Sequence, residues 1–158
     1  MKKITITPLD IALVSIGSAM LFGLQVALRL LPNIEVVSLL IVLFALHFRH
    51  RTLFMIYIFV LLEGLVYGFG IWWVSYLYVW TILYLAAILL KKFSSPLLWA
   101  VFLGIYGLLF GSLTSIPTFL TLGAAAGLSY IVSGLYFDLL HCGGNFLLAL
   151  LLYHPRCV

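Results

Sequence analysis

Two of the four carboxylates in this chain stand inside apolar stretches, and these are the first residues to suggest chemistry. Glu63 lies about eleven residues into an apolar run that begins after Arg51. At 1.5 Å per residue, that places its carboxyl roughly 16 Å from the near end of a helix. An acid at such depth costs about 2.5 to 3.5 kcal/mol on insertion scales, so it must face protein or water. It either meets a ligand or partner, or packs as a protonated, hydrogen-bonded glutamate. Asp138, His141 and Asn145 are spaced i, i+3 and i+7, which makes one polar stripe along a helix. Such a stripe can line a ligand cavity, with Asp138 and His141 as ionic or hydrogen-bonding partners and Asn145 as amide donor and acceptor. It can equally be a polar seam between helices. A metal held by Asp138, His141 and Glu63 is a third option, but a lone DxxH is a weak signal. Arg29 and Glu35 flank a short loop, where they can meet a ligand or simply each other and water. Trp72, Trp73, Tyr76, Tyr78 and Trp80 cluster at the same end, either as an interfacial aromatic belt or as a stacking surface for a planar ligand.

The elements that must position these residues follow from composition. The chain has 158 residues, 66% hydrophobic and 8% charged, about a third of the charge of an ordinary soluble domain. A water-soluble fold is excluded. With ~20 residues per bilayer helix, the length allows about six spans and no sizeable extramembrane domain. Charged residues and glycine or proline breaks place them near 11–30, 33–48, 52–69, 72–90, 96–113 and 136–153. The polar, proline-containing Thr114-Ser115-Ile116-Pro117-Thr118 ends the fifth, and a short half-helix near 123–131 is expected before Ser133-Gly134. Pro32 suits the start of the second helix and Glu35 its first turn, beside the positive end of the helix dipole.

Six spans put both termini on one side, and the basic residues say which. Lys2, Lys3, Arg49, Arg51, Lys91, Lys92 and Arg156 share that face, with Arg29 alone opposite, so the positive-inside rule predicts cytoplasmic termini. The net charge of +4 is dispersed and forms no stripe for nucleic acid. Cys142 and Cys157 offer neither a disulfide framework nor a metal-ligand pair. His47, His50 and His154 fall at the cytoplasmic ends and read as interfacial. No phosphate-binding glycine loop is present, so any use of ATP belongs to a partner. Ser15, Ala19, Gly23 and Ala27 repeat every four residues and make a small-residue face that permits close helix approach. Gly64 with Gly68, and Gly107 with Gly111, repeat the signal elsewhere.

Taken together, the motifs resemble the substrate-binding S components of energy-coupling factor (ECF) transporters, which import vitamins and related micronutrients in prokaryotes. The likeness rests on Leu31-Pro32-Asn33-Ile34-Glu35, on Leu62-Glu63-Gly64 with Tyr67-Gly68-Phe69-Gly70, and on Ser133-Gly134-Leu135-Tyr136-Phe137-Asp138-Leu139-Leu140-His141 followed by Asn145-Phe146. It spans the whole chain. The resemblance implies an all-α, six-helix integral membrane bundle of the cell membrane, both termini cytoplasmic, with a vitamin site near the outer side. It also implies docking through small residues of the first helix, here Ser15, Ala19 and Gly23, onto a transmembrane coupling subunit that carries two ATPase subunits. The usual glycine turn after the second helix is replaced by Arg49-His50-Arg51.

The expected function is therefore ligand capture for an ABC-type importer rather than catalysis, with no cofactor and no metal, and with ATP hydrolysis left to the partners. The substrate-binding candidates are Glu35, Glu63, Trp72, Trp73, Tyr76, Asp138, His141 and Asn145. Acids outnumber Arg29 around the expected cavity, which disfavours a ligand known only by its carboxylate. A ligand bearing amides or amines on a large apolar or planar body fits better, with cobalamin or another corrinoid as the leading expectation and a queuosine precursor or another B-type vitamin as alternatives. The rival classes are an intramembrane enzyme built from Glu63, Asp138 and His141, and a ligand-free membrane assembly protein.

Overall fold

The computed structural model describes residues 7–30 and 35–153, and all regular structure among them is helical. Lys2, Lys3, Pro32, Asn33, His154, Arg156 and Cys157 lie outside the described residues. Seven helices follow in order: α1 (Pro8–Leu28), α2 (Val37–Phe48), α3 (Arg51–Tyr67), α4 (Ile71–Leu90), α5 (Pro96–Thr114), α6 (Ile116–Leu122) and α7 (Ala124–Leu152). Four stretches are long and apolar enough to cross a membrane: α1, α4, α5 continued by α6, and α7.

Helix α1 begins with a capping box. Thr7 Oγ1 accepts from the Asp10 amide at 3.2 Å, while the Asp10 carboxylate accepts from the Thr7 amide at 2.9 Å. Asp10 also pairs with Arg51 at the start of α3, so α1 and α3 begin at the same end of the bundle. They lie in close contact because a side chain at Gly17 would collide with Met55, and Ser18 donates to the Met55 carbonyl at 3.2 Å.

The short helix α2 is the centre of the molecule. Val37, Ser38, Leu39, Ile41, Val42, Phe44 and Ala45 are buried, wrapped by α1, α3, α4 and α7. Its 12 residues rise only about 18 Å, less than a bilayer's ~30 Å hydrocarbon core, and protein covers most of it. Glu35 lies just ahead of the helix rather than in its first turn. Its carboxylate accepts from the Ser38 amide and hydroxyl and so satisfies one of the amides that the helix leaves open. At the other end Arg49 adopts φ 51°, in the positive-φ region that favours glycine, at a cost of about 1 to 3 kcal/mol. This is the turn where glycine was missed in the sequence.

Gly68, at φ 90°, ends α3, and Phe69 and Trp73 fold back over Gly64, where a Cβ would strike both rings. Trp73 Nε1 donates to the Val60 carbonyl at 2.8 Å, which closes the α3–α4 turn. The helical path breaks at Ser115, as Pro117 predicts, but resumes at once as α6. Gly123, at φ 85°, then reverses the chain into α7.

Helix α7 corrects the expectation of a half-helix at 123–131 separate from a last span at 136–153. It runs unbroken for 29 residues, about 44 Å. Gly134 costs the helix only ~1 kcal/mol, and the Ser133 hydroxyl bonds back to the Tyr130 carbonyl at 3.1 Å rather than capping a new start. The early turns are held by α6 and α5: Gly127 sits beneath the Phe119 ring, and Tyr130 donates to Thr114 Oγ1 at 3.4 Å.

Candidate functional site

The basic residues Arg49, Lys91 and Lys92 gather at the end of the bundle where α1 and α3 begin. At the opposite end, the buried polar side chains converge. Glu35 reaches α7, where its Oε1 meets His141 Nε2 at 3.1 Å. This pair links two segments 106 residues apart. Tyr76, in the second turn of α4, lies within electrostatic reach of both Glu35 and Glu63, and its hydroxyl meets the Gln25 side chain. The four helices that carry the cluster are α1 through Gln25, α3 through Glu63, α4 through Tyr76 and α7 through His141, with Glu35 entering from the start of α2.

Aromatic rings wall this cluster. Trp72, Tyr76 and Trp80, four residues apart, form one stripe of α4, with edge-on contacts at 5.3 and 5.5 Å between successive ring centroids. Phe110 from α5 lies 5.4 Å from Trp80 and 4.9 Å from the His141 imidazole. The α4 aromatics are therefore more than an interfacial belt: their stripe runs inward from Trp72 to the fully buried Trp80.

Three polar atoms at this end stay unmatched among the described residues. Glu63 Oε1, His141 Nδ1 and Trp80 Nε1 are buried with no hydrogen-bond partner there, and each residue is only 2% exposed. An unpaired buried polar group costs about 1 to 3 kcal/mol, more when charged, so three at one end are a large burden for a bundle of this size. Together they present one acceptor at a carboxylate, one imidazole nitrogen of either role, and one indole donor.

The remaining candidates separate by role. The i, i+3, i+7 stripe does lie on one face of α7, but it does not open as a unit onto a cavity. Asp138 is turned into α5, where its Oδ1 accepts from the Gly111 amide at 3.0 Å. Asn145 donates to the Leu103 carbonyl of α5 at 3.4 Å. Only His141 faces Glu35. The outer two residues thus form the polar seam, and the middle one belongs to the site. Trp73 is occupied by Val60 and Gly64 and serves the α3–α4 turn. No three His, Cys, Asp or Glu among the described residues converge as a metal would need, and Asp138 points away from Glu63.

Ser15, Ala19 and Gly23 all lie on the exposed side of α1, away from Gly17 and Ser18, which are buried against α3. A Cβ at Gly23 would meet nothing within 4 Å. Sequence reasoning overlooked Gln25, Phe110 and Tyr106, whose hydroxyl donates to the Val79 carbonyl at 3.0 Å and whose ring lies 6.1 Å from that of Phe110. Gln25 was within reach, being a lone amide in an apolar span, whereas Tyr106 and Phe110 carry no distinguishing local pattern.

Comparisons of the chain with protein-family models, with curated proteins and with solved structures find no match. The functional reading rests on the residues alone.

Proposed function

We propose that this chain is the substrate-capture subunit of an energy-coupling factor transporter in a prokaryotic cell membrane. It takes a micronutrient from the outer side and docks on a transmembrane coupling subunit with two ATPases. The observation that carries this reading is the cluster of Glu35, Glu63, Tyr76 and His141, with unmatched atoms on the buried Glu63 and His141, inside a largely apolar bundle. A membrane bundle keeps such groups at a cost unless a ligand uses them. The sequence likeness to S components supports the same assignment, as does the exposed small-residue face of α1, where Ser15, Ala19 and Gly23 leave room for a partner helix.

The chemistry of the cluster favours a ligand that donates hydrogen bonds. Glu63 keeps an unmatched acceptor, and the partly exposed Trp72 and Tyr76 offer ring surface to an apolar or planar body. A corrinoid, with carboxamides around a large flat macrocycle, combines both properties and is the first ligand to test. Catalysis is not part of the proposal; ATP hydrolysis falls to the partners.

The deciding experiment is purification of the tagged protein from its native membranes in mild detergent, with mass spectrometry of bound proteins and small molecules. The proposal expects a transmembrane subunit with two ATPases. Recovery of the bare chain from membranes rich in those ATPases overturns it. The ligand class is tested separately by titrating the purified chain with cyanocobalamin. Glu63→Gln is expected to weaken binding by about 1 to 3 kcal/mol. No binding by the unaltered chain removes the corrinoid while leaving the transport role standing.

A further inference from the structure

At the basic end, α2 and α4 finish side by side and form a half-open cavity of about 280 Å³ lined by Ala45, Leu46, Arg49, Ile88, Lys91 and Lys92. Three cations stand over an apolar floor. Among the described residues none is answered by a carboxylate, because the four Asp and Glu side chains are placed elsewhere: Asp10 on Arg51, Glu35 on His141, Glu63 in α3 within electrostatic reach of Tyr76, and Asp138 on Gly111. Cations at helix C-termini also answer the dipole, but two helix ends supply only about one negative charge between them, against three positive. An excess of roughly two positive charges remains, enough for one or two phosphate charges.

A second observation singles out Arg49. It holds its positive φ, at 51°, where glycine would be free of strain. A strained non-glycine residue persists where its side chain is needed or its surroundings enforce it, and here the side chain lines the cavity.

We propose that this cavity binds the headgroup of an anionic phospholipid. The phosphate sits among Arg49, Lys91 and Lys92, and the acyl chains descend along Leu46 and Ile88. The position favours lipid over a soluble phosphate. The apolar helices α2 and α4 end here, so the cations stand at the depth of lipid headgroups, and the cavity's apolar wall matches the start of an acyl chain. The proposal is independent of the transport assignment, because it uses none of the residues of the opposite end.

Native mass spectrometry of the full chain from mixed micelles tests it, with phosphatidylglycerol and phosphatidylcholine of identical acyl chains as probes. The expected result is one retained phosphatidylglycerol, preferred about tenfold or more over phosphatidylcholine. Arg49→Gly and the double variant Lys91→Ala/Lys92→Ala should each reduce this preference severalfold, whereas Arg29→Ala, at the opposite end, should leave it intact. Arg49→Gly relieves the backbone, so its melting temperature without lipid should not fall; the double variant alters only exposed side chains and provides a second, independent reading. Equal retention of the two lipids, or full preference in both cavity variants, overturns the proposal. Displacement of the lipid by millimolar glycerol phosphate or inorganic phosphate would make the cavity a soluble-phosphate site and overturn the lipid assignment.

Discussion

Two helices carry small residues on one face, and the structure treats them in opposite ways. On α5, Gly104, Gly107 and Gly111 form a groove filled by α7: a Cβ at Gly107 would lie 2.8 Å from the His141 carbonyl carbon, and one at Gly111 would strike the Asp138 carboxylate. On α1, Ser15, Ala19 and Gly23 are exposed, and a Cβ at Gly23 would meet nothing within 4 Å. Spacing alone makes the two alike. The difference teaches that a small-residue face reports an approach of backbones without saying whose, and that the polar residues opposite decide it. Asp138 and Asn145 give α7 hydrogen bonds to α5 on either side of the close contact, so α5 and α7 recognise each other. Among the described residues, the outward face of α1 has no such partner.

Substitution separates the two faces, and the largest effect is expected at Gly107. Gly107→Ala pushes α7 backbone from α5 and should destabilise the bundle by ~1 to 3 kcal/mol, read as a lowered thermal transition in detergent. It should also displace His141 and weaken ligand binding. A neutral result would mean the α5–α7 contact is looser than it stands here. Gly111→Ala should cost a similar amount for a different reason, since the obstacle is a side chain. Combining it with Asp138→Ala should recover part of the loss, with a coupling of about 0.5 to 3 kcal/mol in a double-mutant cycle. Strict additivity would show that Asp138 is not what Gly111 accommodates.

Asn145→Ala removes one long hydrogen bond and should cost about 0.6 kcal/mol, the average for interhelical bonds in membranes. The smallest effects belong to α1. Ala19→Leu and Gly23→Ala should each leave stability within about 0.5 kcal/mol, yet Ala19→Leu should abolish co-purification of a coupling subunit. A loss of stability at Ala19 as large as that at Gly107 would erase the contrast, because it would place a hidden internal contact on α1.

Several features were legible before any tertiary structure. The Pro96 start of α5 and the Gly68-Phe69-Gly70 turn are local devices, and apart from the start of α7 the helix ends fall within a few residues of where residue types place them. Pro117 marked the α5–α6 break for the same reason. Ser133-Gly134 misled because a glycine and a serine weaken a helix without ending it, and the packing of α6 against the early turns of α7 outweighs that weakness. At the site, Glu63 and His141 stood out as polar groups in apolar surroundings. Phe110 and Tyr106 could not, being aromatic residues in an aromatic-rich apolar helix.

The sequence by itself determined that the chain is helical and built for a membrane, because apolarity, proline and glycine positions and charge asymmetry act over a few residues at a time. Only the tertiary structure decided that His141 meets Glu35 across 106 residues while Asp138 and Asn145, on the same face, turn to α5. A helical stripe fixes which residues share a side. Which neighbour lies against each turn of that side depends on the crossing of whole helices, and that is set by the summed packing of the bundle.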